Sequence, residues 1–233
     1  MSKPTLYILH GWTKDVSKWP PLVKLLGKAG FTVKLLKIPG LTAPLDKVWG
    51  LNNYADWLAG QIKNDPSAIL IAHSNGGRIA IRYETKNPDR VKKLILIDTA
   101  GIRPMSLAAR VKRASFMTIA KIGKKITQNP GARSILYKLA KEQDYYQADK
   151  TLAQTMVNII NEDQRPEIGF VKAHTLILWG RQDRTTPLSD GRLINKEITG
   201  STLKIIEDAG HAPQYTHPDI VADHILQFLK HAK

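Results

Sequence analysis

Two hydrophobic patterns alternate along the chain. Short continuous apolar runs fall at residues 6–9, 33–36, 68–72, 94–97, 176–179 and 203–206. Such runs, too short for a stable helix, suit strands covered on both faces of a parallel sheet. Between them, apolar residues recur at helical spacing over about 19–29, 54–63, 75–85, 188–197 and 219–229. Strand alternating with helix predicts an α/β fold: a mostly parallel, doubly wound sheet of about six strands with helices on both faces.

The alternation breaks once, between Asp98 and His174. There Leu107, Val111, Met117, Ile119, Ile122 and Ile126 recur near helical spacing, and residues 134–141 and 152–160 also read as helical. The expected organisation is a core of residues 1–101 and 169–233, with residues 102–168 as a helical cap over the strand ends.

In doubly wound sheets ligands collect at the carboxyl ends of the strands. The residues closing the runs here are His10-Gly11-Trp12, His73-Ser74-Asn75, Asp98, Gly180 to Asp183, and Asp208 to His211. The stretch "AILIAHSNGGRIAI" at 68–81 is the most informative. A Ser on a sharp strand-to-helix turn exposes its hydroxyl above the sheet, and the positions two before and two after it must be small. Ala72 and Gly76 meet that demand, and Gly77 lets the helix pack closely on the sheet. The plainer alternative, a Ser N-cap, explains Ser74 but not two glycines that each weaken a helix by about 1 kcal/mol.

An alcohol is a poor nucleophile at neutral pH, so it needs a base, and the base needs a carboxylate to hold its tautomer. His211 follows the last run in a Gly-His turn, and Asp183 follows the run before it. Asp98 is the alternative acid, although Asp183 lies in a longer polar loop better able to reach His211. Among the other histidines, His174 begins a strand, and His217, His224 and His231 fall in or beside the last helix. His73 is expected beneath the turn. His10 is expected to brace the loop after the first strand or, with Gly11, to touch substrate. Charge developing on a carbonyl oxygen calls for preorganised N–H donors. The backbone amides of Asn75, at a helix N-terminus, and Trp12, in the first loop, are the expected oxyanion hole.

With these residues in place the chain resembles the α/β-hydrolase superfamily from its first strand to its last helix. The resemblance rests on "LYILHGW", "IPG" at 38–40, "YADWL" at 54–58, "AHSNGGRIAI", "VKKLILIDTAGIRP", "TLILWGRQDRTTPLSDG" and "DAGHAPQYTHPD". It implies the α/β-hydrolase fold and the chain order Ser, Asp, His, and "WGRQDRTTP" supports Asp183 as the acid. "AGIRP" and "NED" at 161–163 resemble a branch of prokaryotic α/β-fold hydrolases whose members mostly lack an assigned substrate. A Ser at position 74 argues against the dehalogenase and epoxide-hydrolase branches, which need an attacking carboxylate. Departures are Ala72 for the commoner Gly, His174 for a frequent Pro, and no room before Thr5 for two extra N-terminal strands, so six strands are expected. By the same resemblance, residues 102–168 should shape the acyl or leaving-group pocket.

Composition adds a charge question. The 233 residues carry 35 Lys+Arg against 20 Asp+Glu, a net charge of +15. From Arg103 to Lys141 there are ten basic residues and no acidic one. Arg103, Arg110 and Arg113 would suit an anionic substrate, but solvated basic faces are commoner. Contact of the basic cap with a membrane surface is the lesser reading, because its apolar residues are equally what a helix docking on the core needs. No specific nucleic-acid motif occurs. The absence of cysteine excludes disulfides, thiol nucleophiles and thiolate metal sites. No secretory signal follows Met1, and no run approaches the roughly 18 apolar residues of a membrane span. A cytoplasmic protein is the default.

The expected function is a cofactor-independent, metal-free serine hydrolase acting on a small-molecule carboxylic ester or similar acyl substrate through an acyl-enzyme. Two alternatives stay open: the same triad used for carbon–carbon bond hydrolysis or a lyase reaction, and a non-catalytic binder using the basic insert. Activity is expected to fall below about pH 6 to 7 as the histidine base protonates.

Overall fold

The structure, a computed structural model, describes residues 3–66, 68–103 and 150–230. The order is β1 (Leu6–Leu9), α1 (Pro20–Lys28), β2 (Val33–Leu35), α2 (Leu51–Ile62), β3 (Ile69–His73), α3 (Asn75–Lys86) and β4 (Lys93–Ile97). After residues 104–149 it continues with α4 (Lys150–Asn161), α5 (Arg165–Ile168), β5 (His174–Gly180), α6 (Leu188–Glu197), β6 (Thr202–Ile206), α7 (Pro213–Thr216) and α8 (Pro218–Lys230). The expected helical segments at 107–126 and 134–141 lie outside the described residues. The one expected at 152–160 is α4.

All six strands are parallel, in the order β2-β1-β3-β4-β5-β6. The chain runs outward from β1 to β2, then crosses back to β3 on the other side of β1. That reversal opens a crevice at the carboxyl ends of β1 and β3, where an open α/β sheet places its ligand. The apolar runs explain the layers. One face of the sheet packs α2, α3 and α6 through Tyr54, Leu58, Ile79 and Ile194. The other packs α1 and α8 through Leu22, Leu26, Ile225 and Phe228. Strands β1, β3 and β4 are buried throughout, as continuous apolar runs require. The edge strands β2 and β6 are only partly buried, unlike the uniform burial expected for all six, because one flank of each has no neighbouring strand.

Residues 101–103 are fastened to residues 163–164. Gln164 N–H donates to the Gly101 carbonyl at 3.0 Å, and Arg103 N–H donates to Asp163 Oδ1 at 3.3 Å. The buried Arg78 guanidinium of α3 donates to the carbonyls of Ile159 and Glu162, each at 3.2 Å, satisfying groups that the end of α4 leaves open. Arg82, one turn further along α3, bonds Glu162 at 2.7 Å, Glu167 at 2.8 Å and Asn52 at 2.8 Å.

Candidate active site

Ser74 sits between β3 and α3 with φ 51° and ψ −115°. For a residue with a Cβ, positive φ is strained and must be imposed by its surroundings. Gly76 lies so close to the end of β1 that a Cβ there would fall 2.7 Å from the Leu9 carbonyl carbon and 2.8 Å from the His10 carbonyl oxygen. A Cβ on Gly77 would lie 2.5 Å from Thr99 Oγ1. The two glycines are therefore a matter of space. Ser74 does stand at the N-cap position of α3, but its side chain makes no cap bond, and its Oγ lies 2.9 Å from His211 Nε2.

The far side of the His211 ring completes a chain of bonds, with Nδ1 2.7 Å from Asp183 Oδ2. Asp183 also accepts from Thr185 N–H at 2.7 Å, Thr186 N–H at 3.0 Å and Thr186 O–H at 2.6 Å. Burial alone would raise the Asp183 carboxyl, but the bonds from His211 and Thr186, the His211 charge and the Thr185 amide hold it below its ordinary value. An ionised carboxylate only accepts, so Nδ1 of His211 carries the proton and Nε2 presents a lone pair to the Ser74 hydroxyl. His211 is partly exposed, and the Asp183 side chain is fully covered.

Asp98, the alternative acid, directly follows β4, is fully buried and uses Oδ1 to accept the Gly180 N–H at 2.9 Å. The carboxylate that bonds His211 is that of Asp183. His73 lies beneath the turn as expected, and its role was not legible in the sequence: Nε2–H donates to the His211 carbonyl at 2.7 Å. Burial, with the nearby His211, pushes its pKa down to about 3, so it is a neutral donor.

His10 is wholly buried. Its Nδ1 lies 2.8 Å from the Gly11 carbonyl oxygen, and its Nε2 lies 2.9 Å from Thr42 Oγ1. A carbonyl only accepts, so Nδ1 bears the proton and both ring nitrogens are engaged within the loop. Burial also lowers the His10 pKa, which favours this neutral form. The Gly11 carbonyl additionally accepts Thr13 N–H at 2.9 Å. In a trans peptide C=O and N–H point in opposite directions, so fixing the Gly11 carbonyl fixes the aim of the Trp12 amide. Gly11 itself packs against the nucleophile turn: a Cβ would fall 2.9 Å from His73 Nδ1 and 3.3 Å from Ser74 Cβ. The Asn75 amide opens α3 and is among the N–H groups that a helix leaves unbonded.

Among the described residues, His73, Asp98 and His211 offer ligand atoms within 4.8 Å of one another. Both ring nitrogens of His211 are already held by Asp183 and Ser74. A metal there would have to break that chain, so the donor set fits a hydrogen-bonded cluster better than a cation. No described helix is long and apolar enough to cross a membrane.

Fold and site together define a class. The sequence pattern of the Alpha/beta hydrolase family matches residues 6–224, and the chain belongs to that family. Its relatives are hydrolases of more than one kind. It is 26% identical to 2-hydroxy-6-oxononadienedioate/2-hydroxy-6-oxononatrienedioate hydrolase 1 of Pseudomonas putida, over 98% of this chain and 89% of that one. It is also 26% identical to the pimeloyl-acyl-carrier protein methyl ester esterase of Neisseria meningitidis, over 93% and 90% respectively. Among solved structures it resembles a bacterial membrane phospholipase A, with TM-score 0.75 and 25% identity, covering 97% of this chain and 78% of that one.

Proposed function

We propose that this protein is a serine hydrolase that cleaves a small-molecule carboxylic ester or similar acyl compound without a cofactor. The observation that carries the reading is the unbroken chain Asp183–His211–Ser74, with bonds of 2.7 and 2.9 Å. His211 Nε2 takes the Ser74 proton as Oγ attacks the carbonyl carbon. The resulting oxyanion is stabilised by the Trp12 and Asn75 amides, aided by the positive end of α3. Collapse expels the leaving alcohol, which takes the proton from His211 and leaves an acyl group on Ser74. Water, deprotonated by the same nitrogen, then releases the acid. Asp183 holds the ring in the tautomer this requires and stabilises the imidazolium that forms. Residues 102–168 act as the cap that shapes the pocket.

Carbon–carbon bond hydrolysis is the second reading, favoured by the likeness to the Pseudomonas putida enzyme. It uses the same three residues and differs in the group that leaves. The test is labelling with a fluorophosphonate, followed by a panel of p-nitrophenyl esters of rising acyl length and one 2-hydroxy-6-oxo-dienoic acid. Labelling of the wild type and none of Ser74→Ala is expected. A folded wild type that resists the reagent and turns over no ester would refute the reading.

A further inference from the structure

Two carboxyl groups meet where the proposed chemistry uses one. Asp98 and Asp183 follow the adjacent strands β4 and β5, and Asp98 N–H donates to the Leu178 carbonyl at 3.0 Å. Asp98 has φ 41°, a strained conformation for a residue with a side chain, and it is completely buried. Its Oδ1 accepts the Gly180 N–H. Its Oδ2 is buried, and no donor among the described residues reaches it. What surrounds the Asp98 carboxyl is the Asp183 carboxyl, within hydrogen-bonding reach, together with His73 and His211.

None of these neighbours has a proton to spare. Asp183 is an acceptor already serving Thr185, Thr186 and His211. The Nδ1–H of His211 is given to Asp183, and its Nε2 faces Ser74. His73 gives its Nε2–H to the His211 carbonyl, so its remaining ring nitrogen is an acceptor. An ionised Asp98 would therefore be a second buried negative charge against Asp183, with one oxygen unsatisfied. A proton on Oδ2 removes both costs, because it turns a contact between two acceptors into a hydrogen bond.

We propose that Asp98 is a positioning residue: its carboxyl keeps a proton and donates it from Oδ2 to Asp183, so that the pair carries one negative charge, held by Asp183. The proposal rests on the reading of Ser74, His211 and Asp183 as the catalytic chain. The donated bond aims the Asp183 carboxylate at His211. Burial above all, opposed by the Gly180 amide and reinforced by the Asp183 charge, keeps Asp98 protonated up to about pH 8.

Two measurements test this, and the first involves no catalysis. Asp98→Asn keeps an acceptor for Gly180 and supplies N–H donors to Asp183, but cannot ionise. A carboxyl whose folded pKa is raised to about 8, above an unfolded value of about 3.9, makes the folded state less stable as pH rises between those values. The thermal midpoint of Asp98→Asn should therefore climb relative to wild type from about pH 4 to about pH 8 and then hold a constant lead. Parallel midpoints across that range would overturn the proposal. In the second, Asp98→Asn at pH 7 should be labelled by the fluorophosphonate within about threefold of the wild-type rate. The wild-type rate should fall as pH rises through about 8, whereas the Asn rate should not. Asp98→Ala should lose about tenfold in kcat with KM unchanged. An Asp98→Asn variant as slow as Asp183→Asn would overturn the proposal, because Asp98 would then be the working charge. If Ser74→Ala is still labelled, the catalytic reading fails instead, and the midpoint comparison separates the two failures.

Discussion

Adding one methyl group at Gly76 tests whether the nucleophile turn is set by space. The methyl would sit 2.7 Å from the Leu9 carbonyl carbon, where carbon atoms pack best at about 3.5 to 4.0 Å. Either α3 or the end of β1 must yield by about 0.8 Å to reach the near end of that range. Neither moves cheaply, because β1 is a fully buried strand between β2 and β3, and the clash is with backbone, which has no alternative rotamer. Overpacking of this kind costs about 1 to 3 kcal/mol, and the upper end is expected here. The catalytic effect should be larger than the loss of stability. The displaced peptides lead into His10, Gly11 and Trp12, while α3 begins with Asn75 directly after Ser74, so nucleophile and oxyanion donors separate. A misplacement near 1 Å is worth about 100-fold in rate. Urea unfolding gives the first quantity, and the fluorophosphonate labelling rate of the folded protein gives the second. Gly60→Ala is the control, since Gly60 lies in α2 with nothing within 4 Å of an added Cβ. It should gain about 0.5 to 1 kcal/mol and label normally. A Gly76→Ala protein with wild-type stability and labelling would refute the argument.

Three further outcomes are expected. Asp183→Asn should lower kcat by about 10³- to 10⁴-fold while leaving the fold intact, because an amide in that place accepts poorly and favours the wrong His211 tautomer; steady-state ester kinetics would show it. Asp183 has a depressed folded pKa, so its contribution to stability is present above about pH 3.9 and is lost as pH falls through the folded value. Scanning calorimetry should accordingly find the wild-type midpoint dropping more steeply than that of Asp183→Asn below about pH 4. Arg82→Ala leaves Glu162 and Glu167, with side chains 33% and 20% exposed, without a shared cation. Urea unfolding should register a loss of about 1 to 2 kcal/mol after allowance for solvent screening, with Arg82→Lys recovering only part because an ammonium lacks the forked geometry.

What the sequence disclosed follows from how each feature is encoded. The run at 6–9 is β1 to the residue, and the stretch at 188–197 is α6 to the residue, because continuous apolar runs and 3.6-residue spacing are local signals. The one-turn helices α5 and α7 escaped notice, since four residues cannot display a helical period. At the site, Ser74, Asp183 and His211 were legible from their places at successive strand ends. Thr186 was not, although its hydroxyl donates to Asp183 at 2.6 Å: a threonine in a polar loop carries no pattern that distinguishes a working hydroxyl from a solvated one. Arg78 was hidden for the opposite reason. It occupies a helical position with nothing beside it in the sequence to mark it, and the return of the chain at Ile159 and Glu162 gives its buried charge two carbonyls to bind. Contacts between distant segments are properties of the fold, and one chain read along its length does not contain them.

The relatives sharpen the question of where specificity lies. Equal identity to a hydrolase of 2-hydroxy-6-oxo acids and to a methyl ester esterase means that similarity to the whole chain does not choose between breaking a C–C and a C–O bond. In the proposed mechanism the first steps of the two reactions are the same, because Ser74, His211 and the two amides act on the carbonyl that both substrates present. The reactions part at the leaving group, a carbon centre in one case and an oxygen in the other. Discrimination must then come from groups that hold the substrate beyond the carbonyl. Residues 101–103 and 163–165, joined by the Gln164–Gly101 and Arg103–Asp163 bonds, are also tied to α3 through Gln164, whose amide donates to the Arg78 carbonyl at 3.0 Å. The same helix begins with Asn75, directly after the nucleophile. One helix therefore starts at the nucleophile turn and binds that junction; in the proposed mechanism, where residues 102–168 cap the site, substitutions in the cap away from the junction are expected to change which leaving group is accepted while the Ser74–His211 bond is kept.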